Sequence, residues 1–382
     1  MSKNDLSAPK EARRQNLGAI RITVLAVIGV VASWNIVTYC EAGFVELYQR
    51  SSLLVRTGTI AARDFDEKGI VKIGSARNQA LLTSPFYVVH YGLIYSESVR
   101  RGSPLWLNDP TQSLWPYPPP ERLNTPQNFL AACDWIVSNT TTQEGGYAHL
   151  LYDFPWKYRN VRPDTILPPW WSGLTDALAI ELLCRGYDVT GNQSYMQCAA
   201  SLYASVLAPI QKGGSMLSDE QGGIMIEEYV DPNGSVRSRV LNGAIYSAMA
   251  VYNYEQRMKI LDGKGIALLK SLVDNISRYD INGTWSYYDQ VGTVANLKYH
   301  KINAALIKWI GSISENAPVV ALAKKWENAR YNPIRRAFIQ GYFVLQSWFM
   351  CAVFIIIAIA ISCTLYFIMR FCEKKYSNVK AK

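Results

Sequence analysis

Apolar residues recur at every third or fourth position in seven segments beyond residue 128, a spacing typical of amphipathic α-helices. Turns rich in glycine and polar residues, such as 190–192 and 262–265, separate these segments. Short turns of this kind join antiparallel helix pairs. Stacked pairs predict a mainly α protein with an (α/α) toroid, whose loops build a cleft at one end. The predicted helices cover residues 129–137, 174–187, 195–210, 245–258, 266–276, 302–313 and 319–329.

Two uninterrupted apolar runs lie near the ends of the chain, at residues 22–39 and 343–369. Neither contains a charged residue, and each is long enough to cross about 30 Å of hydrocarbon as a helix. The first run is longer than a usual signal-peptide core and lacks a clean small-residue cleavage site. An uncleaved anchor is therefore favoured over a cleaved signal peptide, and we expect a transmembrane helix at each end.

The region between the first anchor and the helices has a different pattern. Residues 53–55 and 70–73 predict two strands of a small β-hairpin around a charged turn at 63–69. Residues 106–126 are rich in proline, tryptophan and asparagine, which indicates a linker or covering loop. The expected organisation is a cytoplasmic tail at 1–21, a membrane helix at 22–39, a hairpin and irregular region at 40–127, a helical domain at 128–334, a second membrane helix at 343–369 and a basic tail at 370–382.

The formal net charge of +9 is concentrated in the two tails. Residues 1–21 have five basic and two acidic side chains, and residues 370–382 have five basic and one acidic, which leaves +2 for the rest. A balanced middle lacks the basic face expected of a nucleic-acid-binding protein. Because positive residues accumulate on the cytoplasmic side of a membrane, both tails are predicted to be cytoplasmic and the middle lumenal. Arg335 and Arg336 count mildly against this orientation.

Cysteines, histidines and sequons add compartment information but indicate no metal site. Four of the seven cysteines lie in or beside the anchors, and Cys184 and Cys198 could equally form a disulfide or be buried thiols. The three histidines are too scattered for a zinc site. Sequons fit a glycoprotein of a eukaryotic secretory lumen, although such tripeptides also occur by chance. They begin at Asn139, Asn192, Asn233, Asn275 and Asn282.

Candidate chemistry falls in two non-helical stretches, 213–236 and 279–299, which are polar, aromatic and contain glycine. Tyrosine dominates both, and tyrosine clusters also fill the rims of large helical folds. Glu227 and Glu228 are adjacent, so in extended backbone they point to opposite faces and at most one can face a cleft.

These stretches resemble the heparan-type glucuronyl C5-epimerase family. Residues 226–229 read Ile-Glu-Glu-Tyr and 240–247 read Val-Leu-Asn-Gly-Ala-Ile-Tyr-Ser, similar to the family's Glu-Glu-Tyr-Pro and Val-Leu-Asn-Gly-Phe-x-Tyr-Ser block. Tyr-Asp and Tyr-His segments follow in the family's order, and the resemblance covers roughly residues 84–313. The family's proline after Glu-Glu-Tyr is Val230 here. Residues 94–128 are too few for the β domain of the heparan enzymes, which counts against heparosan as substrate.

The resemblance implies inversion of C5 in D-glucuronic acid residues of a polysaccharide, giving L-iduronic acid, and hence an isomerase of glycosaminoglycan or heparan sulfate biosynthesis in the Golgi or ER membrane. It implies Glu228 and Tyr299 as the acid-base pair, with Tyr229 and Tyr288 orienting them. The candidate substrate-binding residues are Arg237, Arg239, Asn242, Tyr246, Asn296, Lys298 and His300.

Such a reaction needs an acid-base group on each face of the sugar and a means of spreading the developing charge. A tyrosine needs a cationic neighbour to act as a base near neutrality, and Arg237, Arg239 and Lys298 are nearby in sequence. Asn242 is equally explained as a helix cap, and His300 as a structural histidine.

No nucleotide loop or metal motif is present in the sequence, so neither a metal nor an organic cofactor is expected. The expected partners are a uronic-acid polysaccharide and a membrane, and a second copy of the chain would also be compatible. Three alternatives stay open: a uronate lyase, a glycoside hydrolase and a non-catalytic glycan-binding protein. A hydrolase would use two of Glu227, Glu228, Asp280 and Asp289.

Overall fold

A computed structural model describes two compact units, which comprise Met1–Ser52 with Arg330–Lys382, and Leu53–Ala329. The residues described are 8–57, 63–75, 78–99, 106–115, 118–158, 165–219, 223–231, 234, 237–330, 332 and 345–380.

Within those residues the chain is mainly helical. The α-helices are α1 (Ala8–Thr57), α2 (Pro85–Ser96), α3 (Pro126–Asn139), α4 (Gly173–Thr190), α5 (Gln193–Leu207), α6 (Leu241–Met258), α7 (Gly265–Asp274), α8 (Leu297–Ile313), α9 (Ala317–Glu327) and α10 (Leu345–Lys380).

Short antiparallel sheets occupy the segments between helices. The strands are β1 (Arg63–Phe65), β2 (Val71–Ser75), β3 (Asn78–Thr83), β4 (Thr140–Thr142), β5 (Ala148–Tyr152), β6 (Trp156–Lys157), β7 (Thr165–Ile166), β8 (Trp170–Trp171), β9 (Met216–Ser218), β10 (Ile224–Ile226), β11 (Asp280–Ile281) and β12 (Trp285–Ser286). Two sheets have three strands, in the orders β1-β2-β3 and β4-β5-β8, and the other strands pair as β6-β7, β9-β10 and β11-β12.

Helix boundaries follow local capping chemistry. The side chain of Ser172 accepts a hydrogen bond from the N–H of Thr175 at the start of α4. This helix ends at Gly191, which has a φ of 71° that glycine adopts without strain. Asn296 caps α8 and Asn316 caps α9 in the same way as Ser172. These caps fix where the predicted helices begin.

The helices of the larger unit alternate between inner and outer positions. Helices α2, α4, α6 and α8 pack one against the next in chain order, while α3, α5, α7 and α9 each pack on the preceding helix. Nearly every residue of α4 from Gly173 to Gly186 is buried, as expected of an inner helix surrounded by others. The predicted pairing of helices is confirmed, and closure of the pairs into a toroid stays a prediction.

The predicted hairpin is wrong in its first strand. Residues 53–55 belong to α1, because a three-residue apolar run has no period that separates a strand from the end of a long helix. The second predicted strand, 70–73, is largely β2. Its partners are β1, which lies where the sequence predicted a turn, and β3.

The smaller unit contains two helices that are long and apolar enough to cross a membrane, with spans Leu17–Cys40 and Trp348–Tyr376. Only 11% and 6% of these windows are buried, whereas the core helix of a soluble protein would be mostly buried. The helices approach closely at Gly29, where an added Cβ would lie 2.1 Å from Oγ of Ser362. Small residues allow such close packing between membrane helices.

Candidate active site

Glu227 organises the loop that leads from β10 to α6. Its carboxylate accepts hydrogen bonds from Oγ of Ser238 at 2.5 Å and from the N–H groups of Arg239 and Glu228, both at 3.1 Å. Burial raises the pKa of this carboxyl, and the donors oppose the rise. Glu227 is therefore engaged with its own loop.

Glu228 is buried against the start of α6. A Cβ at Gly243 would lie 2.2 Å from Glu228 Oε2, so this position of the carboxyl requires a residue without a side chain. Oε2 makes no hydrogen bond with any residue that the structure describes. Burial raises the pKa of Glu228 to about 8, and the nearby charges of Glu227 and Asp289 add to the rise. A buried carboxyl with an unused oxygen and a pKa near neutrality is suited to proton transfer.

Three tyrosines surround this carboxyl. The hydroxyls of Tyr229 and Tyr288 lie 3.4 Å apart, and the rings of Tyr288 and Tyr299 meet edge to face with centroids 4.8 Å apart. Burial, followed by neighbouring charges that include Glu228, raises the pKa of each tyrosine. The structure thus brings together Glu228, Tyr229, Tyr288 and Tyr299, with the phenols in their protonated, proton-donating form.

Lys298 is the cation beside Tyr299. Both residues lie in the first turn of α8, which the Asn296 side chain caps by accepting from the N–H of Tyr299 at 2.9 Å. Lys298 Nζ is 4.8 Å from the centroid of the Tyr299 ring and 4.3 Å from that of Trp115. Burial lowers the pKa of Lys298 to about 8, and the positive charge of Arg63 makes a smaller contribution in the same direction. The expected cationic neighbour is present, yet burial still holds the pKa of Tyr299 above its usual value.

Arg237 and Arg239 have contacts elsewhere. Arg237 donates from Nη1 to the carbonyl of Asp231 at 2.9 Å. Arg239 lines a small cleft together with Tyr279 and Gln290, which is called the second cleft below. Its carbonyl accepts a hydrogen bond from Tyr279. Their role in substrate binding stays a prediction that no contact with the tyrosine cluster supports.

Asn242 and Tyr246 lie one turn apart on α6. Asn242 is the second residue of the helix and not its cap. The cap position is held by Val240, whose side chain makes no capping hydrogen bond. Asn242 Oδ1 is buried and makes no hydrogen bond within the described residues. The hydroxyl of Tyr246 pairs with that of Thr111. The capping explanation of Asn242 is therefore wrong, and its free oxygen is suited to a ligand hydroxyl.

His300 has a structural environment. Its Nδ1 accepts a hydrogen bond from the N–H of Ser286 at 3.1 Å, so Nε2 carries the proton and donates to the carbonyl of Trp326 at 3.0 Å. The imidazole stacks on Trp285 with centroids 3.7 Å apart, and burial lowers its pKa to about 4. With both nitrogens occupied, this neutral histidine holds the start of α8 against β12.

Sequence reasoning missed Tyr158, which borders the same cluster. Its ring is 5.1 Å from that of Tyr229, and its hydroxyl donates to Oδ2 of Asp289. Asp289 Oδ1 accepts from the N–H groups of Val291 and Thr293. Tyr158 follows β6 in a region without a helical period, so its aromatic neighbours were the only available signal.

An open cleft lies beside Trp115, the ring that Lys298 contacts. Trp115 and Tyr246 line it together with polar side chains, among them Asp109 and Gln112. Aromatic rings combined with amide and carboxyl groups are suited to binding sugars. Through its contact with Lys298, Trp115 connects the wall of this cleft to the Lys298 side of the tyrosine cluster.

The remaining candidate carboxylates are occupied. Asp280 accepts from Nε1 of Trp326 at 2.8 Å and from the N–H of Gly283 at 2.7 Å. Asp289 and Glu227 accept hydrogen bonds from their own loops, as described above. Among these four carboxylates, only Glu228 has a buried oxygen that makes no hydrogen bond within the described residues.

The fold and site define a mainly helical protein with a buried cluster of one glutamate and three tyrosines near a cleft lined by aromatic and polar side chains. Residues 146–328 match the family model of the D-glucuronyl C5-epimerase C-terminus, which supports a relationship of this part of the chain to that family.

Individual relatives agree with this assignment. The chain is 28% identical to D-glucuronyl C5-epimerase of Caenorhabditis elegans over 225 residues, which cover 53% of this chain and 35% of the relative. It is 25% identical over 177 residues to the uncharacterized protein MJ1128 of Methanocaldococcus jannaschii, covering 45% of this chain and 56% of that protein. The chain thus spans about a third and about half of these relatives.

One solved structure also aligns along most of the chain. The Lin0763 protein of Listeria innocua is 12% identical, with 85% of this chain and 97% of that chain covered. The TM-score is 0.39, which does not define a shared fold.

Proposed function

We propose that this protein is a polysaccharide glucuronyl C5-epimerase that converts D-glucuronic acid residues to L-iduronic acid. The observation that carries the proposal is the buried Glu228 carboxyl, which has an oxygen without a hydrogen bond among the described residues and lies near enough to Tyr229, Tyr288 and Tyr299 to contribute to raising the pKa of each. The match of residues 146–328 to the epimerase family model supports the same reaction.

The first chemical step is removal of the C5 proton. Ionised Glu228 takes this proton, and the electrons of the C5–H bond move into the adjacent carboxylate of the sugar. A pKa of about 8 makes Glu228 a stronger base than an ordinary carboxylate while leaving a useful ionised fraction near neutrality. Developing charge on the sugar needs hydrogen-bond donors and cations close by.

The second step returns a proton from the opposite face. Tyr299 starts protonated because burial raises its pKa, so its hydroxyl can donate to C5. The resulting phenolate is stabilised by Lys298, whose ammonium lies against the ring. Two groups with opposite initial protonation can therefore invert the carbon. Afterwards Glu228 releases the proton that it took from C5, and the Tyr299 phenolate takes one up. Tyr229 and Tyr288 orient the pair.

The rival enzyme classes are less well supported. A hydrolase needs two available carboxylates that flank one bond, but Glu227, Asp280 and Asp289 are all engaged by protein donors. A lyase would share the proton abstraction and then expel the C4 substituent. The products therefore separate these classes.

We further propose a toroidal fold anchored in a Golgi or ER membrane, with the helical domain in the lumen acting on glycosaminoglycan chains. The support is two apolar helices flanked by basic tails, together with inner and outer helices in alternation.

The test is incubation of the full-length protein, in detergent micelles, with heparosan, chondroitin and hyaluronan in deuterium oxide. An epimerase introduces deuterium at C5 and iduronate signals by NMR without shortening the chain. Unsaturated ends would identify a lyase, new reducing ends a hydrolase, and binding without either change a glycan-binding protein.

A further inference from the structure

Two cationic side chains from distant parts of the sequence converge on the Tyr299 side of the site. Lys298 comes from the first turn of α8, and Arg63 is the first residue of β1. The Arg63 guanidinium carbon is 4.2 Å from the centroid of the Tyr87 ring, and Arg63 Nε donates to the Tyr91 hydroxyl at 3.0 Å. Tyr87 in turn acts electrostatically on Tyr299.

The two cations also act on each other. The charge of Arg63 contributes to lowering the pKa of Lys298, and both charges contribute to lowering the pKa of His90 to about 3. Lys298 Nζ makes neither an ion pair nor a hydrogen bond with any residue in the described ranges, where its neighbours are the rings of Trp115 and Tyr299. The rings between the two cations are in contact, since the Tyr91 and His90 centroids are 5.3 Å apart and so are those of His90 and Trp115. Two like charges that repel each other in a partly buried place are stabilised by an anion.

We infer that Arg63 and Lys298 together bind the carboxylate of the uronic acid whose C5 reacts. The inference rests on the proposed function and names the part of the site that recognises the acid. The carboxylate carbon is bonded directly to C5, so its binding groups must lie next to the acid-base pair. Lys298 meets this requirement through its contact with Tyr299.

The pair also serves the chemistry of the first step. Removing the C5 proton places further negative charge on the carboxylate oxygens, and two cations at that position lower the energy of the intermediate. Arg237 and Arg239 are less suited, since one donates to the Asp231 carbonyl and the other lines the second cleft. The small sheet of β1, β2 and β3 thereby contributes directly to the site.

Binding of a polymer and of its carboxyl-reduced form, in which each uronate becomes the corresponding neutral sugar, tests this assignment. Full-length wild-type protein and variants are titrated calorimetrically at about pH 6.5, where Lys298 is mostly protonated. The probes are heparosan, chondroitin, hyaluronan and polymannuronate, which lack sulfate, so any anion preference reports the carboxylate.

Wild-type protein should bind the native polymer more tightly than the reduced one. Lys298→Gln and Arg63→Gln should each weaken binding of the native polymer by about tenfold or more and leave the reduced polymer nearly unaffected. Lys298→Arg should retain the preference because it keeps the charge. Lys301→Gln, an exposed change on the same helix, is the matched control and should behave as wild type.

The carboxylate assignment is overturned if both glutamine variants keep the wild-type ratio of native to reduced binding, or if wild type binds none of the four polymers. Deuterium exchange at C5 is measured separately. Absence of exchange with an intact, charge-dependent binding preference would reject the epimerase and retain the carboxylate subsite. Deuterium exchange at C5, with the same ratio of native to reduced binding in the glutamine variants as in wild type, would reject the carboxylate subsite and retain the epimerase.

Discussion

At the scale of single residues, Glu228 and Tyr299 differ in the proton each is ready to exchange. Glu228 is partly ionised near neutrality, and Tyr299 retains its proton. In the proposed mechanism this difference lets Glu228 remove a proton from one face of C5 and Tyr299 return one to the opposite face.

Glu228→Gln and Tyr299→Phe should each abolish net inversion, with kcat lowered by about 10²–10⁴-fold. Both changes are nearly isosteric, so folding and polymer binding should persist. Tyr299→Phe keeps the ionisable Glu228, so deuterium should enter C5 of the glucuronate epimer without inversion, as measured by NMR. Glu228→Gln keeps only a protonated tyrosine and should exchange far more slowly. The exposed change Glu144→Gln is the control.

Inversion near the wild-type rate in both variants would exclude this pair. If only Tyr299→Phe retained inversion, Tyr288 would be the better candidate, since its ring packs against that of Tyr299. Glu227 is unsuitable as an inert comparison because its carboxylate holds Ser238 and two backbone N–H groups.

The raised pKa of Glu228 also affects stability. A folded-state pKa of about 8 against an ordinary 4.5 means that the folded protein binds this proton more tightly than the unfolded chain. The stabilisation is complete below about pH 4.5 and is lost as the pH rises through about 8. Glu228→Gln has no carboxyl to titrate at this position and should not lose stability in this way. Its free energy of unfolding relative to that of wild type should therefore rise by up to about 1.4 kcal/mol per pH unit between about pH 4.5 and 8.

Denaturant unfolding of both proteins at about pH 5, 6, 7 and 8 measures the effect. Curves of stability against pH that run parallel for wild type and variant would contradict a raised pKa at this carboxyl.

At the scale of the element, the first turn of α8 carries both Lys298 and Tyr299, so the cap of this helix has a second purpose. Asn296→Ala removes the acceptor for the Tyr299 N–H and should lower stability by about 1 kcal/mol. It should also lower kcat/KM further than that loss explains, because the turn that positions both residues is loosened. Thermal unfolding and C5 exchange are the measurements.

Asn316→Ala provides a matched comparison, since Asn316 caps α9 through the Val319 N–H at 3.1 Å. It should cost similar stability and leave C5 exchange unchanged. Equal effects of the two alanine variants on exchange would show that the Asn296 cap has no special role.

The sequence predicted those elements whose pattern is local. The predicted ends of helices α4 and α6 lie within four residues of the observed ends. Their apolar residues recur with a helical period because polar residues separate them. Helix α2 was not predicted, since residues on all its faces are buried or apolar and no stripe marks it. The motif comparison found Glu228 and the three tyrosines. Arg63 and Tyr158 reach the site from distant segments, which no local pattern reveals.

At the scale of the whole molecule, two apolar helices with basic flanks predict that both termini are cytoplasmic and the helical domain lumenal. Tags at either end should be digested when protease is added to sealed vesicles, whereas the middle of the chain should be protected. Detergent should expose the middle and serves as the control. Protection of either tag would exclude this two-anchor topology.

If the protein is the proposed epimerase, the close approach of Gly243 to Glu228 means that a single base change could remove its activity and leave its fold. Every glycine codon becomes an alanine codon by a single substitution, and a Cβ at position 243 would displace the Glu228 carboxyl. Alanine also favours a helix over glycine by about 1 kcal/mol. Gly243→Ala should therefore keep its thermal stability and polymer binding while losing C5 exchange; retained exchange would contradict this. A gene duplicate could in this way become a glycan-binding pseudoenzyme without ever passing through an unstable intermediate.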